Sequence, residues 1–257
     1  MIMTHYHPED FEHLNTEHKS SAPENWLMQG DCLERMKEIP DGSVDMILTD
    51  PPYGTTACKW DSIIPLEPMW EQLKRIIKTK GAIVMTASQP FTTTLISSNM
   101  KMFRYDLKWC KSQGTGFYNA NRMPLRAHED VLVLYKKLPE YNPQKTEGRP
   151  YTQKRGSASD VYQGKDLTVT ENTSGARHPL SWRVFKKDKN KFHPTQKPVA
   201  LMEYLIKTYT NEGETVLDFT MGSGTTGVAA KNLNRDFIGI ELDEAYFNIA
   251  KERINNS

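Results

Sequence analysis

The sequence of 257 residues predicts an α/β fold with a mainly parallel sheet covered by helices, and three observations carry this prediction. Short apolar runs alternate with stretches of helical period, as in folds built from β-α-β units. A glycine-rich turn between a predicted strand and helix ends only 30 residues before the C-terminus. These 30 residues are too few to complete a sheet. The strand and helix that flank the glycine-rich turn must therefore lie beside strands from the N-terminal half, in a circularly permuted order.

The predicted strands are short apolar runs that end in turns. The run VDMILT at residues 44–49 stops at two prolines, which favour a loop. The helix predicted over residues 65–78 places Leu66, Met69, Trp70 and Leu73 on one face. Further strands are predicted at 82–86, 105–110, 131–135, 215–217 and 237–240, and further helices at 198–209 and 225–232.

Composition excludes several classes of protein. The net charge is +1, and the 37% hydrophobic and 10% aromatic fractions are ordinary for a globular chain. The three cysteines are widely spaced and no His/Cys cluster has ligand spacing, so we expect neither a disulfide framework nor a required metal. There is no apolar run of the ~18 residues that a membrane span needs. The acidic, His-rich start is unlike a signal peptide, and a cytoplasmic protein is predicted.

The charge is unevenly distributed. Residues 136–191 contain 13 Lys and Arg against 6 Asp and Glu, which leaves 20 against 26 elsewhere. This polar, basic stretch predicts a surface-lying insert, although a solvated loop would look the same. The predicted organisation is therefore an N-terminal tail (1–25), a first half of the main domain (26–135), the insert (136–191) and a second half (192–257).

Two motifs indicate chemistry. Gly222-Ser223-Gly224-Thr225-Thr226-Gly227 follows a predicted strand, opens a helix, and precedes Glu241 at the next strand end, which is typical of a nucleoside site. Asp50-Pro51-Pro52-Tyr53 leaves another strand end, and its prolines lack N–H donors, so it offers acceptors beside an aromatic ring. Such a pocket suits a planar group that bears an amine. A proline-stiffened loop with a packed tyrosine is the alternative.

Together these motifs resemble the β class of DNA amino-methyltransferases that use S-adenosylmethionine (SAM), with DPPY first, the glycine-rich loop last and target recognition between them. The resemblance extends from about Trp26 onward. The blocks that carry it are GDC at 30–32, DPPY at 50–53, HPTQKP at 193–198, VLDFTMGSGTTG at 216–227 and GIELD at 239–243. One departure is that Thr220 stands where the family usually has Phe, with Phe219 one place earlier. The implied fold is a Rossmann-like methyltransferase sheet.

The resemblance also implies roles for particular residues. Asp31 would contact the adenine amine of SAM, Glu241 the ribose, Asp218 and residues 222–225 the methionyl part, and Lys197 the methionine carboxylate. A solvated turn is the alternative for Asp31, and a helix cap is the alternative for Thr195. The expected cofactor-binding set is Asp31, Thr195, Lys197, Asp218, Phe219, Thr220, Gly222, Ser223, Gly224, Thr225 and Glu241, and the expected catalytic set is Asp50, Pro51, Pro52 and Tyr53.

The expected reaction is direct methyl transfer to an exocyclic amine of a flipped-out base. Acceptors at Asp50 and Pro51 would orient the amine, and Tyr53 would stack on the base. No cysteine follows a proline, which disfavours methylation at cytosine carbon. The aspartate form of the motif resembles the adenine-N6 enzymes. Cytosine-N4 and RNA amino-methylation remain as alternatives, and an NAD-dependent oxidoreductase is a distant one.

Double-stranded DNA is the expected partner. Its candidate contacts are basic side chains in or near the insert, where an ordinary polar surface is the alternative. The resemblance suggests a homodimer and leaves open whether a cognate restriction endonuclease accompanies the enzyme. The DNA-binding candidates are Arg122, Arg149, Lys154, Arg155, Arg177 and Arg183.

Overall fold

The computed structural model describes residues 25–55, 61–154, 169–190 and 192–257. The predicted tail therefore lies outside the described residues, except for Asn25, which begins the first strand. The strands of the described part are β1 (Asn25–Gln29), β2 (Val44–Thr49), β3 (Ile77–Ala87), β4 (Phe103–Thr115), β5 (Arg126–Leu134), β6 (Tyr151–Lys154), β7 (Val169–Asn172), β8 (Trp182–Val184), β9 (Thr215–Asp218) and β10 (Asp236–Glu241). Its α-helices are α1 (Cys32–Arg35), α2 (Leu66–Ile76), α3 (Phe91–Ser98), α4 (Val199–Tyr209), α5 (Thr225–Asn232) and α6 (Glu244–Asn255).

An eight-stranded sheet has the order β1-β10-β9-β2-β3-β5-β4-β8. The first five strands of this order are parallel, and β5 runs antiparallel to both of its neighbours. Ile47 of β2 pairs with Leu217 of β9, so the C-terminal unit lies between N-terminal strands. The predicted α/β class and the circularly permuted order are both confirmed.

Helices cover both faces of this sheet. Alternate side chains of β2 point to opposite faces, so that Ile47 packs with the buried residues of α2 and α3, whereas Met46 and Leu48 pack with those of α4, α5 and α6. The N-terminal helices therefore close one face and the C-terminal helices the other. None of the helices in the described ranges is long and apolar enough to span a membrane.

Several elements differ from the sequence prediction. β1, α3 and α6 were not predicted, and α3 reads FTTTLISS, in which Thr and Ile favour strands over helices. Two segments of the insert also have regular structure. β6 and β7 form an antiparallel pair, and β8 extends the main sheet beside β4, where Trp109 Nε1 donates to the Phe185 carbonyl at 3.0 Å. Trp182 and Val184 of β8 remain exposed, since they lie at the sheet edge.

The central position of β9 can be tested through Leu217, which is fully buried. We expect Leu217→Ala to reduce the free energy of unfolding by ~2–5 kcal/mol, because it removes a core side chain and leaves a cavity. Urea denaturation followed by circular dichroism measures this. Leu138→Ala, at a position that is 72% exposed, is the matched control and should change stability by less than about 0.5 kcal/mol. Equal effects of the two substitutions would contradict the placement of β9.

Candidate active site

A cavity of about 990 Å³ opens at the C-terminal edge of the parallel strands, where ligands bind in open α/β sheets. Four neighbouring strands each end in a carboxylate that lines it. In sheet order these are Asp31 after β1, Glu241 of β10, Asp218 of β9 and Asp50 after β2. Every predicted catalytic and cofactor-binding residue except Gly224 lines this one cavity. The two motifs that the sequence separates by about 170 residues thus meet.

Three side chains hold the carboxylate of Asp50. Its Oδ1 accepts hydrogen bonds from the Tyr53 hydroxyl at 2.6 Å and from the Thr86 hydroxyl, and its Oδ2 accepts from Lys197 Nζ at 2.5 Å. Burial and the negative charges of Asp50 and Glu129 raise the pKa of Tyr53 well above its usual value. The Tyr53 hydroxyl therefore stays protonated and donates. A carboxylate has about four lone-pair sites, so the three donors found among the described residues leave one site for a further donor.

Lys197 is only 6% exposed and lies between two carboxylates. Its Nζ is 3.3 Å from Glu129 Oε2, and Glu129 Oε1 is 2.5 Å from Lys111 Nζ. Burial acts to lower the pKa of Lys197, but Asp50 and Glu129 outweigh it and the pKa is raised, so the side chain is an ammonium ion. The ammonium group is bound to the carboxylate of the DPPY motif, and its position near the cofactor's methionine carboxylate stays a prediction.

Asp61, which the sequence analysis missed, fixes the turn after the DPPY motif. Its carboxylate accepts from three backbone N–H groups, those of Tyr53, Gly54 and Thr55, at 2.8–2.9 Å. Gly54 has φ +66°, and a Cβ there would lie 2.8 Å from the Ile63 side chain. The turn therefore needs both the buried carboxylate and a glycine.

The glycine-rich loop depends on its glycines in two different ways. Gly222 has φ +52°, and there is open space where a Cβ would lie. Because glycine has no side chain there, a ligand can approach its backbone closely. Gly224 has φ +80°, and a Cβ there would lie 2.9 Å from the Ala250 side chain, so it serves the packing of α5 against α6. Arg253 of α6 fastens the loop by donating to the backbone carbonyl and, at 3.0 Å, to the hydroxyl of Ser223.

Asp218 is bound on both carboxylate oxygens. Oδ1 accepts from the Thr49 hydroxyl at 2.8 Å and the Thr220 N–H at 3.1 Å, and Oδ2 accepts from the Thr226 hydroxyl at 2.6 Å. Burial raises the pKa of Asp218 to about 6, although these hydrogen bonds oppose the shift. Asp218 therefore joins β2, β9 and α5, and its contact with the methionyl part of a cofactor stays a prediction.

The two residues at the departure from the family pattern have separate roles. The Phe219 side chain is 1% exposed and packs in the hydrophobic core, so only its backbone can face the cavity. The Thr220 hydroxyl is 2.7 Å from that of Thr49 and donates to the Asp50 carbonyl at 3.2 Å. Thr220 thus connects the glycine-rich loop directly to the DPPY motif.

Glu241 and Asp31 lie at the other end of the cavity. Glu241 accepts from the N–H groups of Gly222 and Asp243, both at 2.8 Å, and burial raises its pKa. Asp31 caps α1 by accepting from the Leu33 N–H at 2.8 Å. Both carboxylates line the cavity, and each also binds backbone N–H groups of the turn next to it.

The HPTQKP segment closes the cavity from the side of α4. His193 Nδ1 accepts from the Thr195 N–H at 3.2 Å and lies 2.9 Å from its hydroxyl, and burial lowers the pKa of His193. Thr195 does not cap α4, so that alternative is wrong. Asp188 does so instead, by accepting from the Val199 N–H at 3.1 Å.

The predicted DNA contacts divide into three groups. Arg122 and Arg149 are exposed. Arg177 donates to the Gly175 and Arg149 carbonyls and stacks 4.5 Å from the Tyr151 ring centroid, and Arg183 donates to the Gln144 carbonyl, which favours an internal role for both. Arg155 lies outside the described residues, as does the side chain of Lys154.

In the described ranges, no group of three or more His, Cys, Asp and Glu side chains is arranged to hold a metal ion. Burial and the charge of Asp31 raise the pKa of Cys32 to about 12, so its thiol stays protonated. The cavity therefore offers carboxylates, hydroxyls, an ammonium group and an aromatic ring.

Comparison with known proteins agrees with this site. Residues 44–252 match the family model described as a DNA methylase, of the N6/N4 methyltransferase type. The type II methyltransferase M.BglII of Bacillus subtilis is 31% identical over 274 residues, covering 94% of this chain and 73% of that protein. M.HpaI of Haemophilus parainfluenzae is 30% identical over 247 residues, covering 90% and 74%.

Solved structures show the same fold. The M1.HpyAVI–SAM complex is 29% identical with a TM-score of 0.64, and covers 89% of this chain and 99% of that one. PvuII DNA methyltransferase, which is cytosine-N4-specific, has a TM-score of 0.66 over 91% of this chain and 89% of that one, but at 16% identity it is similar in fold alone. The fold and cavity are those of the Rossmann-like methyltransferases. This chain belongs to the N6/N4 DNA methylase family, which excludes the oxidoreductase alternative.

The role of Asp61 can be tested by stability. We expect Asp61→Ala to lower the free energy of unfolding by ~1.5–3 kcal/mol, because hydrogen bonds to a charged group are lost and three N–H groups are left without it. Urea denaturation measures this. Asp41→Ala is the matched control, because that carboxylate is 77% exposed and forms a surface ion pair worth ~0–1 kcal/mol. A result for Asp61→Ala no larger than the control would show that the turn does not depend on it.

Proposed function

We propose that this DNA methyltransferase transfers a methyl group from SAM to the N6 amine of an adenine that is flipped out of duplex DNA. The observation that carries the proposal is the Asp50 carboxylate at the cavity wall, which three donors of the described residues hold in place with one lone-pair site left over. An exocyclic amine is a donor that can bind there. The family membership and the type II methyltransferases among its relatives support DNA as the substrate.

The residues present fit SAM. SAM carries two positive charges, ribose hydroxyls and an adenine amine, which all seek acceptors, and the cavity wall supplies Asp31, Asp218 and Glu241. Gly222 leaves the loop open to close approach of a ligand. We propose that Glu241 holds the ribose, Asp31 the adenine amine and the loop at 222–225 the methionyl part. Bound SAM would supply an electrophilic methyl group and would be left as a neutral thioether.

The chain's own part in the reaction is orientation and charge. The amine nitrogen is a poor nucleophile because its lone pair is delocalised into the ring. The free site on Asp50 accepts one N–H, and the Pro51 carbonyl is proposed to accept the other, since Pro51 and Pro52 offer no competing N–H. The nitrogen lone pair is thereby directed out of the ring plane. When the nitrogen gains the methyl group, its surplus proton passes to the Asp50 carboxylate.

Lys197 and Tyr53 position the two oxygens of the Asp50 carboxylate. The ammonium of Lys197 places a positive charge beside Oδ2 and fixes the position of that oxygen. Tyr53 holds Oδ1 through its hydroxyl, and its ring stacks on Phe91 at a centroid distance of 5.4 Å. We propose that the target base stacks against the Tyr53 ring.

Adenine is proposed over cytosine because the motif begins with aspartate at position 50, the form that resembles the adenine-N6 enzymes. The test is to express the protein in cells that lack their own DNA methylation and to read modified bases by mass spectrometry of nucleosides and by single-molecule sequencing. N6-methyladenine at a fixed sequence is the expected result. N4-methylcytosine would replace the adenine proposal while leaving the acceptor mechanism in place.

Asp50→Asn tests the acceptor. We expect single-turnover methyl transfer to fall by at least about 100-fold, because the charged acceptor is lost at the reacting amine. Binding of SAM by calorimetry should change by less than about threefold, since the proposed cofactor contacts lie elsewhere. Asp41→Asn, at an exposed aspartate, is the control and should match wild type in both assays. Near-normal turnover of Asp50→Asn would refute the mechanism.

Glu241→Ala tests the cofactor end of the cavity. We expect SAM affinity to weaken by ~1.5–3 kcal/mol, as for hydrogen bonds to a charged group, and also because the Gly222 N–H loses its acceptor. Glu212→Ala is the matched control, because Glu212 is exposed and precedes β9, at the ends of the parallel strands that are farther from the cavity. Unchanged SAM affinity in Glu241→Ala would mean that this end is not the nucleoside site.

A further inference from the structure

The connection between β4 and β5, residues 116–125, carries large apolar side chains that are open to solvent. Tyr118 is fully exposed, Phe117 is 68% exposed and Met123 is 55% exposed. Single exposed apolar residues are ordinary, but a cluster on one loop indicates an interaction surface. None of the proposed catalytic or cofactor contacts uses this loop.

Backbone hydrogen bonds give the loop a defined shape. The Asn119 N–H donates to the Gly116 carbonyl and the Met123 N–H to the Asn119 carbonyl, both at 3.0 Å. Gly116 adopts φ +92°, which glycine tolerates, and it begins a short 3-10 turn at Phe117–Asn119. The two aromatic side chains are therefore presented to solvent by a folded turn.

The loop stands beside the active-site cavity. The residues that flank it, Thr115 and Arg126, pair across β4 and β5 and both line the cavity. The sequence between Lys111 and Glu129 contains no acidic residue, and Arg122 and Arg126 add positive charge. An aromatic tip on a basic stem, next to the cavity, is complementary to a nucleic acid with stacked bases and phosphates.

We propose that Phe117 and Tyr118 form a wedge that enters the base stack of duplex DNA at the target base, with Arg122 against the neighbouring phosphate. The wedge rests on the base flipping in the proposed function. A base leaves the duplex only by losing its stacking and pairing, which costs a few kcal/mol. Aromatic rings that fill the gap offset part of this loss and hold the extruded base outside the stack.

The test compares two duplexes that contain the methylation site found by sequencing. In one the target base is normally paired, and in the other it stands opposite an abasic site, so that it is already unpaired. Single-turnover methyl transfer and DNA affinity are measured for wild type, Tyr118→Ala, Tyr118→Phe and the double variant Phe117→Ala/Tyr118→Ala. Leu138→Ala is the matched control, because Leu138 is 72% exposed and follows the end of β5 that is farther from the cavity.

On the paired duplex we expect the double variant to lose at least about tenfold in rate, and on the unpaired duplex to return to within about threefold of wild type. Tyr118→Phe keeps the ring and should lose less than Tyr118→Ala. Leu138→Ala should match wild type on both duplexes. Recovery on the unpaired duplex is the result that a mere surface contact would not give.

Three results would overturn the wedge. Equal losses on both duplexes would show an ordinary DNA contact, and no loss on either would show that the loop is not used. Dissociation of a wild-type dimer by the double variant, with unchanged rates, would assign the loop to contact with a second copy of the chain. If neither the wild type nor the double variant preferred the unpaired duplex, the result would instead count against base flipping itself. Methylation of cytosine would leave the comparison intact, because the abasic site can face either base.

Discussion

The ion pair between Lys197 and Asp50 is the interaction on which the arrangement of this site depends. Lys197 comes from the segment before α4 and Asp50 from the end of β2, so the pair joins the two halves of the permuted chain. Burying an ammonium group is costly unless it is paired, and Glu129 on β5 supplies the second partner. The desolvation of Lys197 is offset only if both carboxylates keep their positions. That requirement fixes the geometry of Asp50.

A second set of bonds makes the cofactor end and the acceptor end one structure. Thr49 precedes Asp50 directly and donates to Asp218, while Thr220 lies against both Thr49 and the Asp50 carbonyl. A displacement of the glycine-rich loop would therefore move the backbone that carries the DPPY motif. The same buried hydrogen bonds between hydroxyl and carboxylate groups therefore position both the proposed methyl donor and the proposed acceptor. Fixing their relative orientation in this way favours a reaction whose rate depends on orientation.

The sequence predicted the parts of this site whose chemistry is local. Strand ends, the glycine-rich turn and the prolines at 51 and 52 have short-range signatures, and the few residues left after Gly227 sufficed to predict the permuted sheet. The role of Lys197 at the cofactor was implied by the family resemblance, whereas its contact with Asp50, 147 residues away, has no local pattern that could predict it. Glu129 was missed for the same reason, since its partner Lys197 is also distant in the sequence. Asp61 lies only 6–8 residues from the N–H groups that it binds, but a single aspartate in a loop has no pattern that predicts such bonds. Arg177 and Arg183 were chosen as DNA contacts for their charge, and charge could not predict their carbonyl partners inside the insert; their contact with DNA stays a prediction.

The most direct test of the account is a double-mutant cycle of Asp50→Asn and Lys197→Met, measured as single-turnover methyl transfer with SAM affinity determined on the same samples. If Lys197 acts through Asp50, Lys197→Met slows transfer while SAM affinity stays within about threefold, and the double variant is about as slow as Asp50→Asn alone. Stability measured by urea denaturation shows whether each variant is folded. Multiplicative losses in the double variant, or a loss of SAM affinity that accounts for the slower transfer, would contradict the account.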